Sequence, residues 1–103
     1  KQLKIEKDYK MTKVTNMLSN AGNPVANQFV IMQGDVSTFQ SYESTIAIID
    51  GNSYPRKITL DPDYYDYSVT TMKYLARFLG HGIAETRSNI KSGIYKTRSL
   101  NSY

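Results

Sequence analysis

Asp61-Pro62-Asp63-Tyr64-Tyr65-Asp66-Tyr67-Ser68-Val69-Thr70-Thr71-Met72-Lys73-Tyr74-Leu75-Ala76-Arg77-Phe78-Leu79-Gly80 is the stretch of this chain with a clear helical period, a start signal and a stop signal. Tyr67, Thr71, Tyr74, Leu75 and Phe78 recur at helical spacing and predict a face turned to a core. Asp66, Thr70, Lys73 and Arg77 share another side, turned to water. Asp61 is a capping residue type and Pro62 suits a first helical position. Asp63 and Asp66 place negative charge at the positive end of the helix dipole. Gly80 supplies the left-handed residue that closes a helix. The pattern predicts one long helix within 61–80, roofing β-structure made from the residues before it.

Those residues read mostly as strands. Ser19-Asn20-Ala21-Gly22-Asn23-Pro24 is a dense run of turn formers. Val25 to Gln33 then alternates with apolar residues on both faces, as a central strand does. Gly34-Asp35 is a two-residue hairpin signal with glycine at the first centre, and Val36 to Tyr42 follows as its partner. Glu43 and Ser44 interrupt before the apolar Thr45 to Asp50, which leaves either a bulge in one long strand or a link between two. Asp50-Gly51-Asn52 signals another turn and Arg56 to Leu60 another strand, with Ile58 and Leu60 on one side. Two readings compete for Thr12 to Leu18: a strand with one polar edge, or a helical turn. Residues 1–12 read as an N-terminal arm or first strand, and 13–101 as one domain. After the helix, Ile83 to Ser92 predicts a short second helix, with Ile83, Arg87 and Ile90 on one face and Gly93 as its stop. Ile94 to Leu100 suits a last edge strand. The expected fold is α+β: a mostly antiparallel sheet of four to five strands, with one long helix on one face and a short second helix near the C-terminus.

Composition narrows the function. The 103 residues include nine tyrosines, no tryptophan and no cysteine, so disulfides and thiolate metal sites are excluded. The N-terminal stretch lacks the apolar core of a signal peptide and no apolar run approaches a membrane span, so the expected setting is soluble and intracellular. The formal charge of +4 is unevenly spread: residues 1–13 carry +3, residues 14–66 carry −4 and residues 67–103 carry +5. A basic last third beside an acidic middle is the pattern of a surface that meets a charged macromolecule.

No catalytic motif accompanies that charge. His81, the single histidine, sits between two glycines where it suits a helix end, with no nucleophile-elbow pattern in the chain. Asp61, Asp63 and Asp66 lack the alternation of an oxygen-ligand metal loop, and capping accounts for them. Gly80-His81-Gly82 is too short for a phosphate-cradling loop. Basic residues are better placed: Lys73 and Arg77, then Arg87 and Lys91, lie four apart on the two helices, suited to reach phosphates. Tyr95 stands among Lys96 and Arg98, an interleaving that can stack single-stranded bases. The cluster Tyr64, Tyr65 and Tyr67 instead suits a protein-binding surface, since tyrosine offers rigid contact area.

Three blocks carry a resemblance: Val14-Thr15-Asn16-Met17-Leu18-Ser19-Asn20-Ala21-Gly22-Asn23-Pro24-Val25-Ala26-Asn27-Gln28-Phe29, then Phe39-Gln40-Ser41-Tyr42-Glu43-Ser44, then Tyr64-Tyr65-Asp66-Tyr67-Ser68-Val69-Thr70-Thr71-Met72-Lys73-Tyr74-Leu75. Over residues 12–101 the chain resembles a family of small domains of unknown function found mainly in bacteriophages and bacterial genomes. Tyr65 stands where that pattern usually has tryptophan. The resemblance implies a phage origin and transfers no activity to any residue. Asn16, Asn20, Asn23 and Asn27 in the first block are expected to knit a loop onto the sheet.

The sequence therefore predicts a non-enzymatic, phage-type binding module of the host cytoplasm with no cofactor and no metal. Its expected partner is nucleic acid or a nucleoprotein, met by Lys73, Arg77, Arg87, Lys91, Lys96, Arg98 and Tyr95. The alternative is a protein inhibitor of a host factor, of anti-defence or anti-CRISPR kind. It would act by protein contact through Asp61, Asp63, Asp66, Tyr64 and Tyr65.

Overall fold

A computed structural model describes residues 12–101, and the arm expected over residues 1–12 lies, but for Thr12, outside them. Six strands form one sheet in chain order: β1 (Thr12–Leu18), β2 (Pro24–Gln33), β3 (Val36–Ser41), β4 (Ser44–Asp50), β5 (Lys57–Leu60) and β6 (Lys96–Thr97). Successive strands are antiparallel through β5, whereas β6 runs parallel to β5. Two helices, α1 (Val69–Leu79) and α2 (Ile83–Lys91), fill the connection between them. A parallel neighbour needs a crossover of this length, which hairpins cannot give. The expectation of four to five mostly antiparallel strands under one long helix is thus corrected to a six-stranded mixed sheet with two short helices.

The helix is short because its start is elsewhere. Asp61 does not cap it; the carboxylate is taken up by its own turn and by the chain end. Ser68, extended at φ −149 and ψ 159, is the cap, and its hydroxyl accepts from the Thr71 N–H at 3.0 Å. Pro62, Asp63 and Asp66 therefore lie in turns, and no acid stands in the first helical turn. Tyr67 falls off the expected core stripe and is 47% exposed. The rest of that stripe holds: Thr71, Tyr74 and Leu75 are buried, and Phe78 stacks on Phe39 at 5.7 Å. Gly80 closes α1 at φ 82, as expected. In α2 the buried residue is Thr86, bonded to the Gly82 carbonyl, whereas Ile83 and Arg87 face out.

Register assigns the faces. Val30, Phe39, Ala47 and Leu60 are cross-strand neighbours on the side that α1 covers, and three of them are wholly buried. The opposite row runs Val14, Ile31, Thr38, Ile48, Thr59 and Lys96. Thr12 to Leu18 is a strand, which resolves its two readings. The interruption at Glu43 is a hairpin, since Ser41 pairs with Ser44, and the register then shifts, with Ile46 the extra residue of a bulge on β4 opposite Phe39 and Gln40. The β2–β3 and β3–β4 hairpins each have a positive φ at the first turn residue: 59 at Gly34 and 57 at Tyr42. Glycine adopts it freely and tyrosine does so at a cost.

Ser68→Ala is expected to destabilise the fold by about 1 kcal/mol, read as a lower Tm. Asp63→Ala, in the segment first expected to be helical, should stay within about 0.5 kcal/mol of the parent. Equal losses would return the helix start to Asp61.

Candidate functional site

The expected cations fall into three groups. Lys73 and Arg77 both lie over the Tyr74 ring, at 5.4 and 5.3 Å from its centroid. Arg77 also donates to the Leu18 carbonyl at 2.6 Å and to Asn20 Oδ1, fastening the β1–β2 turn to α1. Its guanidinium is committed to the fold. Arg87 and Lys91 line an open depression of about 570 Å³ with Tyr65, Ser88 and Ile90. Lys96 and Arg98 line another, of about 450 Å³, on the β4–β5–β6 end of the sheet.

That last depression gains Lys57, which the sequence reading did not single out. Asp50 pairs with Lys57, Ile48 with Thr59, and Thr59 with Lys96. These side chains share the sheet face turned away from Ala47, Ile58 and Leu60. The alternation that placed Ile58 and Leu60 on one side already put Lys57 and Thr59 on the other. Parallel pairing of β6 then brings Lys96, Thr97 and Arg98 alongside, a contact that no local pattern encodes. Three cations, two threonines and one carboxylate thus border a single concavity. Tyr95 does not join them. It is 5% exposed, with its ring in the core and its hydroxyl accepting from Asn89 at 3.1 Å, so no face is open to a base.

The residues of the protein-contact alternative also separate. Asp61 is 1% exposed. One carboxylate oxygen accepts from the N–H groups of Asp63 at 2.8 Å and Tyr64 at 3.2 Å. The other accepts from the Leu100 N–H at 2.8 Å and from Asn101 Nδ2 at 2.9 Å. Asn101 passes the link to β4, bonding both the N–H and the carbonyl of Thr45. Burial pushes the Asp61 carboxyl up, but the donors from Leu100, Asp63, Asn101 and Tyr64 outweigh it and hold the group below its ordinary value of 3.8. Asp63 and Asp66 are exposed, Tyr64 and Tyr65 half-buried.

Around Tyr64 the structure assembles a group that crosses all three sequence blocks. Tyr64 meets Tyr67 edge-on at 6.1 Å, and Tyr67 meets Tyr42 at 6.4 Å. Tyr42 donates its N–H to the Asn27 carbonyl at 2.7 Å, and Asn27 too has a positive φ, of 66. Gln28, which follows it, is wholly buried, and neither its amide nitrogen nor its oxygen has a partner among the described residues. Its cross-strand neighbour Ser41 bonds Thr71 at 2.8 Å. Nothing in the local sequence flagged Tyr42, because a hairpin without glycine or asparagine carries no turn signal. Two of the other asparagines use their side chains as expected, Asn16 bonding the Val25 carbonyl and Asn20 receiving Arg77, while Asn23 bonds Ser19 through its main chain.

His81 stands 3.3 Å from Glu85, four residues on. Among the described residues no group of three or more His, Cys, Asp or Glu gathers to hold a metal ion. No helix among them is long and apolar enough to cross a membrane.

Residues 12–96 match the family described as Family of unknown function (DUF8033), and the chain belongs to that family. None of the curated proteins and none of the solved structures compared with it matches.

Asp61→Ala is expected to cost about 3 kcal/mol or more, because it strands buried N–H groups. The carboxyl is more acidic folded than unfolded, so its contribution is complete above about pH 3.8 and is lost as pH falls through the lower folded value. Asp61→Asn should remove that part of the acid sensitivity. Urea unfolding from neutral to acid pH reads both effects, and parallel stability profiles for Asn and parent would contradict them.

Proposed function

We propose that this member of DUF8033 is a non-enzymatic binding module that grips the phosphate backbone of a nucleic acid or nucleoprotein. The observation that carries the reading is the convergence of Lys57, Lys96 and Arg98 on one concavity at the uncovered side of the sheet edge. Lysine and arginine side chains there can neutralise phosphates, and the hydroxyl of Thr59 can bond their oxygens. Arg87 and Lys91, beside Tyr65, form the second contact. Lys73 serves as a peripheral charge, and Arg77 is held by Leu18 and Asn20. The setting proposed with it is the host cytoplasm of an infected bacterium, which rests on the resemblance of the three sequence blocks alone.

A second reading, inhibition of a host protein by direct contact, is favoured by the exposure of Asp63, Asp66 and Tyr67. Capture of partners from host lysate with and without nuclease separates the two, since partners held through nucleic acid are lost on digestion.

Lys96→Glu with Arg98→Glu is expected to weaken binding to a mixed-sequence oligonucleotide and to flatten the dependence of log K on log salt by about 2. Binding that is salt-independent, or untouched by the double reversal, would contradict this reading.

A further inference from the structure

We propose that the corner formed by Tyr42 and Tyr67 docks a basic protein segment, taking its arginine or lysine side chains on those two rings. Tyr42 is 43% exposed and Tyr67 47% exposed, large values for aromatic rings in a domain of this size. Their planes meet at 66°, and those of Tyr64 and Tyr67 at 90°, so the rings form a stepped wall. Tyrosine faces are electron-rich, and a guanidinium or ammonium group is attracted to them.

Charge selects the occupant. Glu43 follows Tyr42 in the chain, Asp63 precedes Tyr64 and Asp66 precedes Tyr67, and all three are exposed. The one ion pair among the described residues is His81 with Glu85, so none of these carboxylates is neutralised by a described cation. Phosphate is repelled from such a corner and a cationic side chain is drawn to it. This surface is therefore distinct from the basic concavity at the sheet edge, and it stands whether or not that concavity binds nucleic acid.

Two further observations mark the corner as shaped for contact. The first is backbone strain: Tyr42 holds a positive φ at the hairpin position where Gly34 serves in the preceding hairpin. It is pinned there by the Asn27 carbonyl on one side and by Gln40, whose side-chain amide donates to the Tyr42 carbonyl at 2.8 Å. A glycine would relax this turn, and the ring would be lost with the strain. Residues kept in such conformations concentrate at ligand-holding sites. The second is Gln28, a buried amide with both polar atoms unpartnered among the described residues. It lies one strand over from Ser41, beneath the Ser68–Thr71 turn that carries Tyr67.

The test is titration of the protein with a hexa-arginine peptide, followed by NMR of the tyrosine rings. Saturable binding that shifts Tyr42 and Tyr67 is expected. Tyr67→Ser and Tyr42→Gly should each weaken it by about three- to tenfold. Tyr42→Gly should raise Tm at the same time, so that its loss of binding is not loss of fold. Several results would overturn the proposal: silent rings, unchanged affinity in the ring variants, or weakening by Asp63→Asn and Asp66→Asn alone. So would oligothymidylate shifting the same rings, or self-association of the chain that Tyr42→Gly abolishes.

Discussion

The buried carboxylate of Asp61 is the constraint from which the arrangement of the last third follows. It takes four N–H groups from two distant parts of the chain, Asp63 and Tyr64 on one oxygen and Leu100 and Asn101 on the other. A desolvated charge is tolerable only when its lone pairs are filled this way, and removing any donor leaves the charge under-compensated. One oxygen takes the N–H groups two and three residues on, as a cap does, but the turn it caps ends before Tyr67, and the helix starts afresh at Ser68. Because two of the donors come from the chain end, the tail must return beside β5 and run parallel to it, with the Arg98 N–H on the Leu60 carbonyl at 3.0 Å.

Both candidate surfaces descend from that one interaction. The parallel return sets Lys96 beside Thr59 and so gathers the cations at the sheet edge. The delayed helix leaves residues 61–68 as turns, which turns Tyr67 outward to meet Tyr42 across the end of the β3–β4 hairpin. One surface is positive and the other negative, on a chain whose net charge is only +4.

Much of the sheet was legible in the sequence. Period-two alternation and the Gly34-Asp35 turn located β2 and β3, and the apolar run located β4. The core stripe of α1 was legible from Thr71 to Phe78, where spacing and burial agree. What failed was long-range. Asp61 and Pro62 do mark a capped turn, but nothing local shows that it stops before Tyr67 or that the second oxygen is taken by residues about 40 positions away. Tyr95 read as a stacking ring because its neighbours are basic, yet it alternates with Lys96 onto the face of Thr97 and its partner Leu60, which is the core face. Lys57 and Tyr42 acquire their meaning from strand pairing, which composition does not encode.

Titration of the Asp61 side-chain carboxyl by NMR, with the Leu100 amide followed in the same samples, tests the account most directly. The account predicts a midpoint below the ordinary 3.8, with the Leu100 amide shifting at that same midpoint as its acceptor is protonated. A midpoint at or above 3.8, or a Leu100 amide indifferent to the transition, would contradict the claim that this carboxylate holds the chain end to the sheet.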